Sequence, residues 1–272
     1  MNRSLVISLA AIPVLAFAAT LACGCRVDAA PDPAAAVVIY KAGDVDCEGC
    51  VAAATGAGRK PAVLVIHDWM GVSPFVKAKV EQLAGMGYVA LGADVYGKGV
   101  RPADWSEAGK LATKYKTDRA LFRARLKAAL DVLVKRDDVD PKRIVAIGYC
   151  FGGTGVIELA RSGADIAGVI SFHGGLDSPT PADGKNIKAK VLALHGADDP
   201  FVPAADVLAF QEEMRAAKVD WEFTAYGGAV HAFTNPTVGT DPSKGAAYQA
   251  TADRRSWEAA KSFLAEVFAP AK

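Results

Sequence analysis

The sequence predicts an α/β fold in which helices cover both faces of a mostly parallel β-sheet. From residue 62 onward, short and almost continuously apolar runs alternate with longer stretches that carry Ala, Leu, Lys and Glu at helical spacing. The chain has 272 residues, of which 51% are hydrophobic and 22% charged, which is enough to build a large packed core. No change in composition marks a second folded domain, so we expect a single one.

The apolar runs are typical of strands that are buried on both faces of a sheet. The predicted strands are residues 62–67, 88–93, 143–148, 167–172, 190–195 and 221–226. The predicted helices are residues 75–86, 105–135, 152–161, 203–217 and 248–268. The stretch 105–135 fits either one long helix or two shorter ones.

The N-terminal segment is typical of an export signal. A short basic start precedes an apolar run from Leu5 to Ala22, and small residues follow it. An uncleaved membrane tether is the alternative, since eighteen apolar residues can span a bilayer. Cys23 and Cys25 also suggest a lipoprotein leader, although neither has Leu three positions upstream. We therefore expect a leader over residues 1–29, a linker over 30–36, a folded domain over 37–270, and a periplasmic or secreted protein.

Cys47 and Cys50 have the C-x-x-C spacing of some disulfide, redox and metal sites. If the surrounding residues form a strand, the two cysteines lie about 10 Å apart, too far for a disulfide unless the chain turns at Gly49. No second pair of Cys or His residues follows nearby to complete a zinc site. We expect structural cysteines or a local disulfide, with redox chemistry as the lesser alternative.

The sharpest motif is GYCFGG at residues 148–153, which joins a predicted strand to a predicted helix. The pattern G-x-C-x-G is that of a nucleophile elbow with a cysteine in place of serine. Gly148 and Gly152 flank Cys150 because side chains there would collide with the neighbouring backbone in so sharp a turn. The start of the helix would also favour the thiolate.

The predicted acid and base follow in the order nucleophile, acid, histidine. Asp199, in GADDPFVP, comes just after the strand 190–195, with Asp198 as the competing candidate. His231, in GAVHAF, follows the last predicted strand. We interpret the other histidines, His67, His173 and His195, as structural.

Together with HDWMG and GYVALGADVYG upstream, these motifs closely resemble the dienelactone hydrolase family of α/β-hydrolases, over about residues 37–268. The resemblance implies the α/β-hydrolase fold, a Cys150/His231/Asp199 triad and hydrolysis of an ester or lactone through a thioester. It also implies that Asp68 stands where the family has an acidic residue, typically Glu, that interacts with the resting nucleophile. We expect the backbone N–H groups of Phe151 and Trp69 to form the oxyanion hole.

The expected substrate is a small ester or lactone. Family members that act on dienelactone hold its carboxylate with arginines, one of them at the place of Asn235. We therefore expect a broader carboxylic ester or lactone hydrolase, with Lys98, Arg101 and Phe233 as candidate substrate-binding residues. Neither a cofactor nor a metal is expected. A non-catalytic binding protein on the same fold is the alternative function, and a redox protein that uses Cys47 and Cys50 is another.

The near balance of 31 basic and 30 acidic residues argues against nucleic acid as a partner. A membrane would be contacted only through a lipidated or uncleaved leader. The oligomeric state is left open by the sequence, with a monomer as the expectation.

Overall fold

The computed structural model describes residue 1 and residues 33–269, so residues 2–29 of the predicted leader and residues 30–32 of the predicted linker lie outside the described residues. Eight strands form one sheet in the order β1-β2-β4-β3-β5-β6-β7-β8. Their bounds are β1 Ala36–Ala42, β2 Val45–Ala53, β3 Lys60–Ile66, β4 Val89–Ala93, β5 Val139–Tyr149, β6 Gly168–Phe172, β7 Lys190–Gly196 and β8 Trp221–Tyr226. All six predicted strands are therefore present.

The sheet is parallel from β4 to β8 and antiparallel at one edge. β1 and β2 form a hairpin, and β2 pairs antiparallel with β4. The sequence analysis did not predict β1 and treated β2 only as a conditional strand. β1 carries the apolar run AVVIY, but Val37 and Ile39 are exposed and the run directly follows the Pro/Ala-rich segment of the predicted linker. β2 is interrupted by Asp46, Glu48 and Gly49, so it lacks the continuous apolar run that identified the buried strands.

Six α-helices pack on the two faces of the sheet. They are α1 Pro74–Gly85, α2 Trp105–Thr117, α3 Arg119–Val134, α4 Phe151–Arg161, α5 Ala204–Ala217 and α6 Ala250–Val267. The stretch 105–135 is two helices, because Asp118 leaves the helical conformation and its side chain accepts a hydrogen bond from the Leu121 amide. Within residues 33–269, no helix is long and apolar enough to cross a bilayer.

A buried ion-pair network fixes α4, the helix that begins at the elbow. The fully buried guanidinium of Arg161 contacts Glu158 at 2.8 Å and binds both carboxylate oxygens of Glu213 on α5, at 2.9 and 2.6 Å. A buried charge is tolerated only when it is paired in this way. The network therefore ties the C-terminal end of α4 to α5 and holds the helix in one position.

Cys47 and Cys50 are buried free thiols in β2. Because side chains alternate along a strand, residues three apart point to opposite faces, and the two cysteines belong to different halves of the core. The local-disulfide alternative is therefore wrong, and the same separation argues against a redox pair, since these thiols cannot meet while β2 is intact. Their burial agrees with the structural interpretation of the pair.

Candidate active site

Cys150 lies in a tight turn between β5 and α4, at the C-terminal edge of the sheet. Its backbone has φ 54° and ψ −113°, a conformation that L-residues rarely adopt. A Cβ atom on Gly148 would lie 1.9 Å from the Gly152 carbonyl oxygen, and one on Gly152 would lie 2.3 Å from that of Ile66. The turn therefore depends on both glycines, as predicted for a nucleophile elbow.

Gly152→Ala is expected to lower the free energy of unfolding by about 3 kcal/mol, because the added methyl group overlaps backbone atoms that cannot move aside. Gly227→Ala is the matched control, since a Cβ there would meet no atom within 4 Å. Urea denaturation of both variants tests this. Equal stability of the two would contradict the elbow packing.

Three predicted residues form one hydrogen-bonded row. His231 Nε2 lies 3.0 Å from Cys150 Sγ, and His231 Nδ1 lies 2.7 Å from Asp199 Oδ2. Asp199 is buried and also accepts a hydrogen bond from the Phe201 amide at 2.9 Å. The competing Asp198 points elsewhere and binds the Gly228 amide at 2.8 Å. The structure thus favours Asp199 over Asp198 as the partner of His231.

The surroundings of His231 favour its charged form. Burial of the ring opposes this, but attraction to the Cys150 sulfur and the hydrogen bond to Asp199 prevail, and they raise the pKa of His231 to about 10. An imidazolium in this place can give its Nε2 proton to an acceptor beside Cys150.

Two backbone amides near the elbow have no hydrogen-bond partner in the part of the chain that the structure describes. Phe151 is the first residue of α4, and Trp69 lies in the loop after β3. Within residues 33–269, neither amide has a hydrogen-bond acceptor. The elbow packs directly against the end of β3. This is shown by Gly152, where an added Cβ would also lie 2.6 Å from the His67 carbonyl oxygen. Both predicted donors are therefore unpaired among the described residues, and their binding of an oxyanion stays a prediction.

Asp68 is a buried carboxyl at the start of the same loop. One of its oxygens accepts a hydrogen bond from the Met70 amide at 2.8 Å. Burial raises the pKa of Asp68, although that amide and the nearby His231 act in the opposite direction. Its contact with Cys150 remains a prediction, since no hydrogen bond joins the two within the described part of the chain.

The candidate substrate-binding residues do not converge on Cys150. The Arg101 guanidinium binds the carbonyl oxygens of Val100 and Glu48, at 2.8 and 3.0 Å, and lies 3.5 Å from the Asp94 carboxylate. The Lys98 side chain is exposed, and its backbone amide donates a hydrogen bond to the Asp46 carbonyl oxygen at 2.7 Å. Phe233 is fully buried, with its ring 5.1 Å from that of His173. These positions favour structural roles for Arg101 and Phe233.

His173 connects the elbow to the loop that carries His231, a link that the sequence did not reveal. Its Nδ1 accepts a hydrogen bond from the Cys150 amide at 3.1 Å, and its Nε2 lies 2.8 Å from the Thr234 hydroxyl. Burial and the nearby His231 hold the pKa of His173 well below its usual value, so the ring is neutral. The Nδ1 acceptor role requires the proton on Nε2, which then donates to Thr234. The ring thus sets the distance between the two loops.

Thr234→Val is expected to lower kcat about tenfold with little change in KM, because a small displacement of His231 from Cys150 weakens proton transfer. Thr234→Ser keeps the hydroxyl and is expected to restore the rate. Steady-state kinetics on all three proteins measure this. An unchanged rate in Thr234→Val, or a loss of the same size in Thr234→Ser, would contradict a role for the hydrogen bond.

Backbone strain is concentrated at this edge of the sheet. In the part of the chain that the structure describes, four residues other than glycine have positive φ angles, and three of them are Cys150, His173 and Ala232, next to His231. Such strain accumulates where a site must be held in one geometry.

Within residues 33–269, no group of three His, Cys, Asp or Glu side chains is placed to hold a metal ion.

Comparisons with known proteins agree with this geometry. The model of the dienelactone hydrolase family matches residues 47–268. A solved dienelactone hydrolase-like promiscuous phosphotriesterase from metagenomic libraries is 37% identical, with a TM-score of 0.81 over 86% of this chain and 98% of that one.

Curated relatives include a putative carboxymethylenebutenolidase from Aquifex aeolicus, 29% identical over 73% of this chain and 87% of its own length. A probable 2-oxo-3-(5-oxofuran-2-ylidene)propanoate lactonase from Bradyrhizobium is 30% identical over 65% and 74% of the two chains. The fold, the match over most of the chain and these relatives agree with the resemblance drawn from the sequence motifs. The chain therefore belongs to the dienelactone hydrolase family of α/β-hydrolases.

Proposed function

We propose that this hydrolase cleaves a carboxylic ester or lactone with Cys150 as its nucleophile and passes through a thioester. The observation that carries the proposal is the row Cys150, His231, Asp199, with its hydrogen bonds of 3.0 and 2.7 Å beside two free backbone amides. Nucleophile, base, orienting acid and oxyanion donors are the four parts that acyl transfer requires.

In the first half of the reaction, the Cys150 thiolate attacks the acyl carbon and a C–S bond forms. The carbonyl π electrons move onto oxygen, which the amides of Phe151 and Trp69 bind. As the oxyanion collapses, the C–O bond to the leaving group breaks and His231 gives its Nε2 proton to the departing oxygen. The products are an alcohol, or the opened end of a lactone, and the Cys150 thioester.

In the second half, neutral His231 removes a proton from water, and the hydroxide attacks the thioester carbon. The same two amides hold the new oxyanion until the C–S bond breaks. The products are the carboxylic acid and the thiolate–imidazolium pair. Through its hydrogen bond to Nδ1, Asp199 keeps the Nε2 edge of His231 toward Cys150.

Alkylation of the full chain tests the proposal, because Cys150 is partly exposed while Cys47 and Cys50 are buried. Iodoacetamide is expected to abolish hydrolysis of a 4-nitrophenyl ester and of a simple lactone in step with labelling of Cys150, as located by peptide mass spectrometry. Binding of these compounds without turnover by the unlabelled protein would instead support the non-catalytic alternative.

The raised pKa of His231 predicts where activity is lost at alkaline pH. Since imidazolium must protonate a poor leaving group, kcat/KM for an alkyl ester is expected to stay high until the pH approaches 10, where His231 loses its proton. In Asp199→Asn the alkaline limb of the pH profile should move to lower pH, because the hydrogen bond to the Asp199 carboxylate, which helps to raise the pKa of His231, is lost. An alkaline limb near pH 6.5 in the parent protein would contradict the ion pair.

We further propose that residues 1–29 direct export, which follows from the apolar leader alone. Fractionation of the producing cells, followed by N-terminal sequencing, tests this. Recovery of the intact chain from the cytoplasm would contradict it.

A further inference from the structure

Two aromatic side chains at the site are unusually exposed. Among residues 33–269, Trp105 and Phe201 are the aromatic side chains with more than half of their surface in water, at 64% and 59%. The Phe201 ring stands edge-on to His231, with 5.5 Å between centroids. The Trp105 ring lies 6.2 Å from that of Trp69, whose amide is an oxyanion donor. We call Trp69, Trp105 and Phe201 the aromatic rim.

The backbone under the aromatic rim is held in place. The Phe201 amide donates to Asp199, the carboxylate that also binds His231. Trp105 is the first residue of α2, where Asp104 caps the helix by accepting from the Glu107 amide. The Trp69 carbonyl accepts a hydrogen bond from the Tyr96 hydroxyl at 3.0 Å. Exposed aromatic surface on a fixed backbone beside a reactive group is typical of a binding site rather than of a flexible loop.

Charged groups near the rim would not compensate a carboxylate on the substrate. The Arg101 guanidinium is occupied by the carbonyl oxygens of Val100 and Glu48 and by Asp94. The side-chain oxygen of Asn235 is taken by the amide and hydroxyl of Thr237, at 3.0 and 2.8 Å. The buried carboxyl of Asp68, in the loop that carries Trp69, supplies no positive charge.

We propose that the aromatic rim binds neutral esters or lactones that carry an aryl or bulky alkyl group, and that substrates with a free carboxylate are disfavoured. This inference rests on the proposed function and adds the class of substrate. Burial of the three rings against an apolar substrate releases water from surface that is exposed in the free protein.

The reaction geometry determines which part of the substrate each side of the aromatic rim contacts. His231 must reach the leaving oxygen, so the leaving group lies beside Phe201. The acyl group then extends past the oxyanion donors toward Trp69 and Trp105. Phe201 should therefore sense the size of the leaving group, and Trp105 the size of the acyl group.

The test measures kcat/KM of the parent, Phe201→Ala, Trp105→Ala and Leu208→Ala on three 4-nitrophenyl esters and two alkyl esters. Leu208 is the control, because it is 63% exposed on α5, outside the rim. The probes are the acetate, hexanoate and adipate monoester of 4-nitrophenol, together with ethyl and benzyl acetate. Taking the variant-to-parent ratio for each ester cancels its intrinsic reactivity.

We expect Trp105→Ala to lower kcat/KM for the hexanoate about tenfold more than for the acetate. We expect Phe201→Ala to lower kcat/KM for benzyl acetate about tenfold more than for ethyl acetate. The parent should prefer the hexanoate to the adipate monoester, which has the same length but ends in a carboxylate, by at least about tenfold. Leu208→Ala should behave as the parent.

Equal losses on small and large esters, or equal rates on the hexanoate and the adipate monoester, would overturn the substrate preference alone. A change in oligomeric state in the rim variants, measured by light scattering, without a change in kcat/KM would show that the rim is an interface between copies and would also overturn it. If the parent hydrolyses none of the esters, the proposed function fails, and the preference fails with it.

Discussion

Cys150→Ala is expected to hydrolyse no ester at a rate above the uncatalysed reaction, because no other group in the row Cys150, His231, Asp199 can form the acyl intermediate. The fold should survive, since the alanine side chain is smaller and the positive φ of the elbow is already imposed by its surroundings. Circular dichroism and thermal denaturation provide the control for folding. Turnover retained in the folded variant would contradict the role of Cys150.

Cys150→Ser distinguishes a thiolate from a hydroxyl nucleophile. The elbow and the His231 contact can remain, but a serine hydroxyl is far less acidic than a thiol and must lose its proton during the attack. We expect activity well below that of the parent and above that of Cys150→Ala. Activity equal to the parent would argue against a preformed thiolate–imidazolium pair.

Asp199→Asn is expected to lower kcat about 10³-fold, because an amide can present its N–H group to His231 Nδ1 and so favour the wrong tautomer. The loss should be smaller than in a serine hydrolase, since a thiol needs less help to ionise. Asp198→Asn is the matched control, because Asp198 is exposed and binds only the Gly228 amide. Kinetics on an aryl ester compare the two. Equal losses in both variants would contradict the choice of Asp199.

The sequence was most informative where backbone geometry restricts the residue type. Gly148 and Gly152 identified the elbow because any side chain there overlaps neighbouring backbone, and continuous apolar runs identified the six strands that are buried on both faces. The β1–β2 hairpin was missed because the apolar run of β1 adjoins the Ala-rich end of the predicted linker, and because Asp46, Glu48 and Gly49 interrupt β2.

Contacts between distant parts of the chain were harder to predict. Nothing in the sequence near His173 shows that its ring joins Cys150 to Thr234, 61 residues further along the chain. Phe201 was likewise unremarked, because only the folded chain shows its ring against His231. The division of roles between Asp198 and Asp199 also depended on three-dimensional geometry, since the two are adjacent and chemically identical.

The most direct test of the account is mass spectrometry of the protein quenched with acid during turnover of a 4-nitrophenyl ester. The account predicts a mass increase equal to the acyl group, located on the peptide that contains Cys150 and released by hydroxylamine at neutral pH, as a thioester is. An acyl group found on another residue, or product formation at full rate in Cys150→Ala, would contradict the cysteine mechanism.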